Sequence, residues 1–444
     1  MATSNQFNLL TERRFVPFFA TQFLGAFNDN VFRNGLIIVI TFQGITVFDM
    51  NASQLANIAG ALFMLPFFLF SASAGQLADK YEKSQLMRII KTIEICLMFL
   101  SAFALVNDLY ELLFFVLFLL GFQSTLFGPV KFAYLPQKLE TRELIGGNAL
   151  VESGTYLAII LGLLVGDLAV AHDPDNLYVL SACLIAFAVI GYMASRAVPH
   201  TPPVDPNLKL SWNIWRETIH IVGFARKDRA VFLAILGISW FWFFGSAITL
   251  QIPAYTLDIL QGNQSINIVL LVTFSIGIGA GSLLCERLSG HRVEPGLVPF
   301  GSIGLTVFAI DLYFAQPVMH VTPVNSFAEL LDRAGSIRIL LDIVMLGAFG
   351  GIYSVPLYAM IQERADQHHL SRIIAANNII NSVFIVMAAV MALLLLNAGL
   401  SIPALFAIVG VLNALFAAAM YMALPEFIGR FRVWIRNPLG RHPT

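Results

Sequence analysis

The chain has 444 residues, of which 58% are hydrophobic and only 12% carry a charge, and its mean hydropathy is +0.77. A water-soluble domain of this length carries roughly twice that charged fraction. The net charge of −1 gives no indication of a nucleic-acid partner, and the three cysteines lie far apart without metal-ligand spacing. The composition therefore predicts an integral membrane protein with free thiols.

Twelve apolar segments are long enough to cross a bilayer, which requires about 20 residues per helix. Backbone polar groups find no water in lipid, so these segments should be helices and the protein an all-α membrane protein. The segments cover residues 15–43, 53–78, 85–106, 110–134, 143–171, 176–197, 230–259, 266–288, 294–316, 339–364, 370–398 and 400–424. Residues 1–14 are polar and do not resemble a cleavable signal peptide, so the first span should be retained.

The first span carries a polar cluster at its centre. A carboxylate, a guanidinium and three amides interrupt an otherwise apolar segment: Asn28, Asp29, Asn30, Arg33 and Asn34. A charge at the centre of a membrane helix costs about 2.5–3.5 kcal/mol. Asp29 and Arg33 are four residues apart, so they share a helix face and can pair. The cluster either lines a transport cavity or locks the first span against a neighbour, and the three extra amides favour the cavity.

Lysine and arginine are concentrated in alternate loops. The basic segments contain Arg13 and Arg14, Lys80 and Lys83, Lys138 and Arg142, the arginines and lysines of 196–229, Arg287 and Arg292, Arg364 and Arg372, and Arg430 to Arg441. The intervening loops carry none except Arg333 and Arg338. By the positive-inside rule, both termini are predicted to be cytoplasmic.

The connection between the sixth and seventh spans divides the chain into two halves. It begins with a proline-rich stretch and continues as Trp212–Val222, whose apolar residues recur at helical spacing. We interpret this segment as an amphipathic helix on the membrane surface, with a simple linker as the alternative. The predicted domains are an N-terminal six-helix bundle (1–197), a linker (198–229), a C-terminal six-helix bundle (230–424) and a basic tail (425–444).

Similar sequences recur in the two halves. Pro129 is followed by Asn148 in the first half as Pro356 is followed by Asn377 in the second. More residues separate the repeated segments in the second half than in the first, which indicates an insertion near 317–337. Parallel halves of this kind place a substrate site between them near mid-membrane.

The segment Gly75-Gln-Leu-Ala-Asp79-Lys80 follows the second span and resembles the cytoplasmic loop signature of the major facilitator superfamily. The resemblance implies twelve helices in two pseudo-symmetric bundles. The glycine would let the second and eleventh spans approach closely, and Asp79 would meet a helix N-terminus and a basic partner. Glu82 stands where a second glycine is usual, which predicts a looser turn. We therefore assign a gating role to Gly75, Asp79 and Lys80.

Further polar residues lie within or at the ends of other spans. The candidate substrate contacts, beyond Asp29, Asn30 and Arg33, are Lys131, Glu152, Gln251 and Asn381. Lys131 could instead snorkel to the interface. Gln362, Glu363 and Arg364 end the tenth span and complete the predicted gate, where Glu363 could form an ion pair or contact substrate. Glu94, Asp167 and Asp342 are predicted to be interfacial. Glycines four residues apart in the fifth, eighth and tenth spans predict close helix packing.

Five of these segments together resemble the bacterial lysophospholipid transporters. They are Phe27–Asn30, Gly75–Asp79, Pro129–Phe132, Asn148–Ser153 and Val355–Arg364. The resemblance implies transfer of lysophosphatidylethanolamine or lysophosphatidylglycerol from the outer to the inner leaflet of the bacterial inner membrane. A separate acyltransferase–acyl-carrier-protein synthetase would then restore the missing chain. It also implies that Asp29, Lys131, Glu152 and Glu363 match charged positions of the family.

Two positions depart from that family pattern. Gln251 stands where an arginine is expected in the seventh span, and Arg33 stands where the family is apolar. We hypothesise that the cavity cation has moved from the seventh span to the first. It would keep a partner for Asp29 or for the lipid phosphate.

Other functions remain open on the sequence alone. A proton-coupled efflux transporter for drugs or small amphiphiles would use Asp29, Glu152 or Glu363 as its proton carrier. Against it, no Gly-Pro signature of the antiporters occurs in the fifth span. A non-transporting scaffold would not require charges in several spans. No catalytic triad, nucleotide loop or metal cluster is apparent, so we predict neither enzyme activity nor a cofactor, and we expect a monomer.

Overall fold

The computed structural model of the protein describes residues 5–42, 52–173, 177–211, 213–315 and 323–436. A 3₁₀ helix at Gln6–Thr11 precedes the first long helix. The helices are α1 (Val16–Phe42), α2 (Ala52–Lys80), α3 (Lys83–Val106), α4 (Tyr110–Lys138), α5 (Leu144–His172), α6 (Tyr178–Arg196), α7 (Ile214–Ala225), α8 (Arg229–Thr249), α9 (Ile252–Ala254), α10 (Gln264–Ser289), α11 (Leu297–Phe314), α12 (Phe327–Leu331), α13 (Ser336–Arg364), α14 (Leu370–Asn397), α15 (Ile402–Ala423) and α16 (Glu426–Arg436).

The twelve predicted spans correspond to α1–α6, α8, α10, α11 and α13–α15. Within the described residues, eleven helices are long and apolar enough to cross a membrane. The twelfth, α1, has 27 residues, but its polar cluster lowers its mean hydropathy. The predicted seventh span is interrupted after Thr249, because Pro253 cannot donate a backbone hydrogen bond and a π-helical turn, Tyr255–Ile259, follows.

The long helices form two groups that confirm the predicted major facilitator arrangement. In the N-terminal half, α1 packs on α5 and α6, α2 on α4, and α3 on α6. In the C-terminal half, α13 packs on α10 and α11, α15 on α11, and α8 on α14. The halves meet mainly where α2 and α4 contact α14 and where α5 contacts α10 and α13. An interface of this kind can separate without unfolding either half.

Glycines allow the closest helix pair, α10 and α13, to touch backbone to backbone. A side chain at Gly277 or Gly281 would overlap the backbone of α13 at Val344 and Ala348. Reciprocally, Gly351 faces the backbone of α10 at Ile278. This confirms the close packing predicted from the glycine spacing.

The amphipathic segment predicted between the halves forms α7, although Trp212 lies outside the described residues. Its Ile221 is buried, whereas Trp215 and Ile219 are 66% and 75% exposed. The helix packs on α2 and α14, so it touches both halves. Its exposed apolar face is the type of surface that lies at a membrane interface.

The basic tail is also helical over its described part. Helix α16 is attached by Arg364, which donates two hydrogen bonds to Glu426 at 2.8 and 2.5 Å, and by an ion pair between Arg430 and Glu294. The indole nitrogen of Trp434 donates to the carbonyl of Leu288 at 2.7 Å. The tail is therefore tied to the C-terminal half.

Three smaller expectations have plain outcomes. The cysteines are free, with Cys285 buried and Cys96 exposed. Part of the predicted insertion, residues 316–322, lies outside the described residues. The rest forms α12 and a bridge between Val324 and Gly262. The two arginines on the lysine-poor side have local partners, because Arg338 pairs with Asp311 at 2.5 Å and Arg333 donates to the carbonyl of Leu260.

Candidate functional site between the two halves

The polar cluster of α1 lies at mid-helix, but Asp29 and Arg33 do not pair with each other. The Oδ2 atom of Asp29 accepts a hydrogen bond from Ser124 of α4 at 2.6 Å, and its Oδ1 is buried without a hydrogen-bond partner among the described residues. Arg33 donates to Asn30 Oδ1 at 2.8 Å and lies 5.9 Å from the centre of the Phe63 ring. The prediction that the two charges can pair is therefore wrong in this state, because each has found a neutral partner.

The face of α4 that meets Asp29 is turned toward the C-terminal half. Gly128 lies one helical turn beyond Ser124. A side chain built at Gly128 would come within 2.7 Å of Asn378 of α14. Asp29 therefore lies against the side of α4 that also reaches the C-terminal half, and its buried Oδ1 is not exposed to the surrounding acyl chains. Both Asp29 and Arg33 are only partly buried.

Lys131, one turn further along the same face of α4, has a second polar setting. Its ammonium donates to the hydroxyl of Thr155 at 3.1 Å, and that hydroxyl lies 2.8 Å from the Val151 carbonyl and 3.1 Å from the side-chain oxygen of Gln22 of α1. Glu152 is 6% exposed and interacts electrostatically with Lys131, although no ion pair within 4.0 Å joins these two described residues. Lys131 does not snorkel to an interface; it points into the protein.

Glu152 brings this polar group into contact with the C-terminal half. It acts electrostatically on Tyr156 of α5 and on Tyr358 of α13. The ring of Tyr358 stacks on Phe132 of α4, with the ring centres 4.5 Å apart and the planes 3° apart. Phe132 and Tyr358 follow the two prolines of the internal repeat, so equivalent segments of the halves meet here.

On the C-terminal side, a hydrogen-bonded set surrounds Tyr358. The indole nitrogen of Trp242 donates to the Tyr358 hydroxyl at 3.4 Å, and Asn381 accepts from Ser239 at 2.7 Å. Asn381 also approaches the hydroxyl of Tyr358. Asn381 thus belongs to the same interface as Glu152.

Four predicted contacts are not joined to this group by a described hydrogen bond: Asp29, Asn30, Arg33 and Gln251. The Asn30 side chain donates to the carbonyl of Ala26 and accepts from Arg33, so it stays on its own helix. Gln251 lies in the turn that ends α8, where its backbone carbonyl accepts from Tyr255 at 2.8 Å. Position 251 is beyond the regular part of the seventh span.

One end of the bundle is closed between the halves. We define the proximal end as the end that holds the 3₁₀ helix Gln6–Thr11, the α2–α3 turn, α7 and α16. There Asp79 is fully buried and accepts from Arg372 of α14 at 2.8 Å. A side chain at Gly75 would meet the Ala375 side chain at 2.7 Å. The close approach and the basic partner predicted from the signature are both present.

Amide groups extend this proximal seal. Asn148 of α5 and Gln362 of α13 exchange two side-chain hydrogen bonds at 2.5 and 3.1 Å. Gln362 also donates to the carbonyl of Phe132. At the N-terminus, the backbone of Gln6 donates to Glu286 of α10 at 3.0 Å. The seal is therefore built from neutral and charged groups on both halves.

The other predicted gate residues do not cross between the halves. Lys80 approaches only the ring of the adjacent Tyr81 at 5.9 Å and makes no ion pair in the described structure. Glu363 is exposed, and Arg364 pairs with Glu426 within the C-terminal half. These three side chains surround the seal without forming it.

The turn at Glu82 is tightly held, contrary to the looser turn predicted from the missing glycine. Its carboxylate accepts from the backbones of Ser84 and Gln85 as the N-cap of α3. It also accepts from Thr201 of the linker at 2.6 Å. Burial opposes the charged form, but these donors outweigh it and lower the pKa of Glu82.

The sequence predicted that Glu94 is interfacial, and this prediction is wrong. Glu94 is fully buried in the middle of α3. It pairs with Lys91 at 2.5 Å and accepts from Asn28 and Gln123, both at 3.2 Å. Gly191 of α6 makes room for the lysine, since a side chain there would lie 2.8 Å from its nitrogen. Asp342 is likewise buried, at 1% exposed.

Several interface residues were missed from the sequence. Three of them, Ser124, Thr155 and Gln22, have side chains that are common within helices. The other two, Tyr358 and Trp242, could not be told from the other aromatic residues of apolar spans. The run Gln123-Ser124-Thr125 in an apolar span was the one available signal. No cluster of metal-ligating side chains occurs in the part of the chain that the structure describes.

Two halves of six long helices, which meet through polar side chains and are sealed to each other at one end, are the architecture of a membrane transporter. Residues 18–383 match the family model described as Major Facilitator Superfamily. The chain therefore belongs to the Major Facilitator Superfamily.

Curated relatives share about a quarter of their residues with this chain. The protein of Serratia proteamaculans named "Lysophospholipid transporter LplT" is 24% identical over 80% of this chain and 81% of its own length. The protein of the same name from Photorhabdus laumondii is 25% identical over 78% of this chain and 79% of its own.

Solved structures share the fold at much lower identity. The fucose:proton symporter FucP of Escherichia coli superposes with a TM-score of 0.68 at 13% identity, covering 92% of this chain and 98% of its own. The human organic anion transporter MFSD10 superposes at 0.69 with 12% identity, covering 92% and 99%. At these identities the likeness concerns the fold alone.

Proposed function

We propose that this protein transports lysophospholipids across the bacterial inner membrane. It would carry lysophosphatidylethanolamine and lysophosphatidylglycerol from the outer to the inner leaflet by alternating access. The observation that carries the proposal is the pair of opposite charges at the middle of α1, Asp29 and Arg33, which bond to neutral side chains and form no ion pair within 4.0 Å among the described residues. The substrate class is supported by the names of relatives that align with about 80% of the chain.

A phospholipid headgroup matches the charges at mid-membrane. Arg33 makes one side-chain hydrogen bond, to a neutral amide, and therefore retains donors for a phosphate. The Oδ1 atom of Asp29 is buried and has no hydrogen-bond partner among the described residues, so an ethanolamine ammonium could satisfy it once the halves move apart. The two groups are one helical turn apart, so both ends of a zwitterionic headgroup can be held by one helix.

The single acyl chain requires an apolar surface next to that headgroup. Phe63 lies directly beside Arg33 and contacts Phe67 of the same helix, with the ring centres 6.0 Å apart. On the other half, Phe243 and Phe384 form a similar aromatic contact between α8 and α14. Burying one acyl chain in such surroundings is favourable by about 0.8 kcal/mol per methylene group.

The proximal seal supplies the conformational element that alternating access requires. If the positive-inside rule holds, the proximal end is cytoplasmic and both termini lie there. The state described here would then be closed to the cytoplasm. Opening must break the Asp79–Arg372 pair and the Asn148–Gln362 amide pair, while the α10–α13 packing stays intact. On the cytoplasmic side, a separate acyltransferase would consume the product and keep its concentration low, so that substrate flow is inward.

The test is a leaflet-exchange measurement in proteoliposomes with labelled lysophosphatidylethanolamine, and with labelled diacyl phosphatidylethanolamine as comparison. We expect protein-dependent movement of the single-chain lipid only. Movement no faster than in protein-free vesicles, or equal movement of both lipids, would overturn the proposal.

A variant of Arg33 tests the headgroup site in the same assay. Arg33→Leu should lower transport of either lysophospholipid about 10- to 100-fold, because a charge-assisted hydrogen bond contributes about 1.5–3 kcal/mol. Arg338→Leu, which removes an exposed arginine at the other end, is the matched control and should change little. Adding Gln251→Arg to Arg33→Leu tests whether the cation can be returned to the seventh span. Unchanged transport in Arg33→Leu alone would refute the relocation hypothesis.

A further inference from the structure

A chain of hydrogen bonds connects Asp29 to the buried pair inside the N-terminal half. Ser124 lies 2.6 Å from Asp29 Oδ2 and 3.3 Å from Gln123 Oε1. The amide nitrogen of Gln123 donates to Glu94, which is paired with Lys91. The amide oxygen of Gln123 is therefore held facing Ser124, since its nitrogen is already used.

A hydroxyl has a single proton to donate, so Ser124 can serve only one of its two acceptors at a time. While Asp29 is a carboxylate, the shorter contact shows that the proton points to Asp29. If Asp29 takes a proton from water, its new hydroxyl can donate to the Ser124 oxygen, and Ser124 can then turn to Gln123. The Ser124 hydroxyl can therefore form a hydrogen bond with Asp29 in both of its protonation states.

We propose that this Ser124–Gln123 relay makes Asp29 a proton-dependent selector of headgroup charge. The inference rests on the proposed function. A carboxylate at position 29 attracts the ammonium of lysophosphatidylethanolamine and repels a headgroup without a cation. After one proton has been added to Asp29, this side chain contributes neither effect, and the preference for the lipid that carries an ammonium group becomes smaller.

The charged groups that act on Asp29 come from two helices. Glu94 and Lys91 of α3 oppose each other as a pair, and Arg33 lies one turn away on α1. The remaining neighbour, Ser124 of α4, is neutral. Glu94 is fully buried and paired, whereas Asp29 is only partly buried and its Oδ1 has no hydrogen-bond partner among the described residues, so Asp29 is the carboxylate of this group that has an oxygen left for a further partner.

The experiment measures the ratio of lysophosphatidylethanolamine to lysophosphatidylglycerol transport in proteoliposomes buffered between about pH 5 and about pH 8. The lipid amine and phosphate keep their charges over this range. We expect the ratio to fall several-fold toward acid pH. In Ser124→Ala the fall should move to higher pH, because the charged carboxylate loses its donor. Thr125→Val is the matched control, since the Thr125 hydroxyl donates to the Gly121 carbonyl of its own helix.

Asp29→Asn provides a second variant, which should hold the ratio at its acid value at every pH. A wild-type ratio that does not change with pH, or a Ser124→Ala profile identical to that of the wild type, would overturn the inference. These outcomes still include transport of both lipids, so they leave the proposed function standing. Absence of transport of either lipid at every pH would instead refute the proposed function.

Discussion

Charged side chains within the membrane-spanning helices are accommodated by two different arrangements. Lys91 and Glu94 are both buried and satisfy each other inside one half. Asp29 and Arg33 are partly buried at the middle of α1, and their hydrogen-bond partners are neutral side chains. The first arrangement is suited to holding a structure together. The second leaves charge available for a ligand.

Breaking the Lys91–Glu94 pair should destabilise the protein strongly. Lys91→Met leaves a buried carboxylate without its cation, and loss of one partner of a buried pair costs about 3–5 kcal/mol. We expect a large fall in the thermal unfolding midpoint in detergent, and recovery of most of it in the double variant Lys91→Met with Glu94→Gln. Equal midpoints for wild type and Lys91→Met would show that the pair is not structural.

The sequence predicted where the charged residues lie along the helices, but it did not predict which side chains they contact. The spacing of Asp29 and Arg33 placed both on one helix face but could not reveal Ser124, which comes from another helix. Glu94 was predicted wrongly because the sequence does not show that Lys91, three residues earlier, is buried beside it. Only the packing of α3 against α4 and α6, together with the hydrogen bond from Asn28 of α1 to Glu94, shows that both groups are inside.

Helix contacts at the proximal end depend on the absence of side chains. Gly75 brings α2 against α14 so closely that Asp79 can reach Arg372. The signature in the sequence predicted this contact, because both glycine spacing and charge order are local features. The seal formed by Asn148 and Gln362 had no such local signature, since single amides occur in many helices.

Gly75→Val should open the proximal seal. The added carbons would overlap Ala375 and the backbone of Arg372, at a cost of about 1–3 kcal/mol. Ser371 is fully buried in this seal, so a cysteine at position 371, in a background without the native cysteines, should react about tenfold faster with a water-soluble thiol reagent in Gly75→Val. Gly60→Val, on the same helix with open space around it, is the control. Equal reaction rates in the two variants would contradict this role for Gly75.

Attachment of α16 should weaken in acid. The hydrogen bonds from Arg364 lower the pKa of Glu426. Stabilisation from a carboxyl with a lowered pKa is complete above its ordinary value, about 4.3, and is lost as pH falls through the lowered value. Amide protection of residues 427–436, corrected for intrinsic exchange, should therefore be lower at about pH 3 than at about pH 7. Protection in α7 serves as the control, and an unchanged or higher protection of α16 would contradict the expectation.

The molecule as a whole follows from a few coarse features of the chain. Length, apolar content and helix count predicted twelve spans in two halves, because each span must satisfy its own backbone in lipid. The internal repeat around Pro129 and Pro356 predicted two similar halves, and in the structure Phe132 of one half stacks on Tyr358 of the other. The break after Thr249 was not predicted, since a proline near a helix end is compatible with a continuous span.

Photolabelling with a reactive lysophosphatidylethanolamine tests most directly whether the substrate occupies the region between the halves. We expect labelled peptides from α1, α4 and α13, around Arg33, Ser124 and Tyr358, and we expect labelling to fall when unlabelled lysophosphatidylethanolamine is added. Labelling confined to outward-facing residues such as Phe99 and Phe103, and unaffected by the competitor, would contradict a substrate site at this interface.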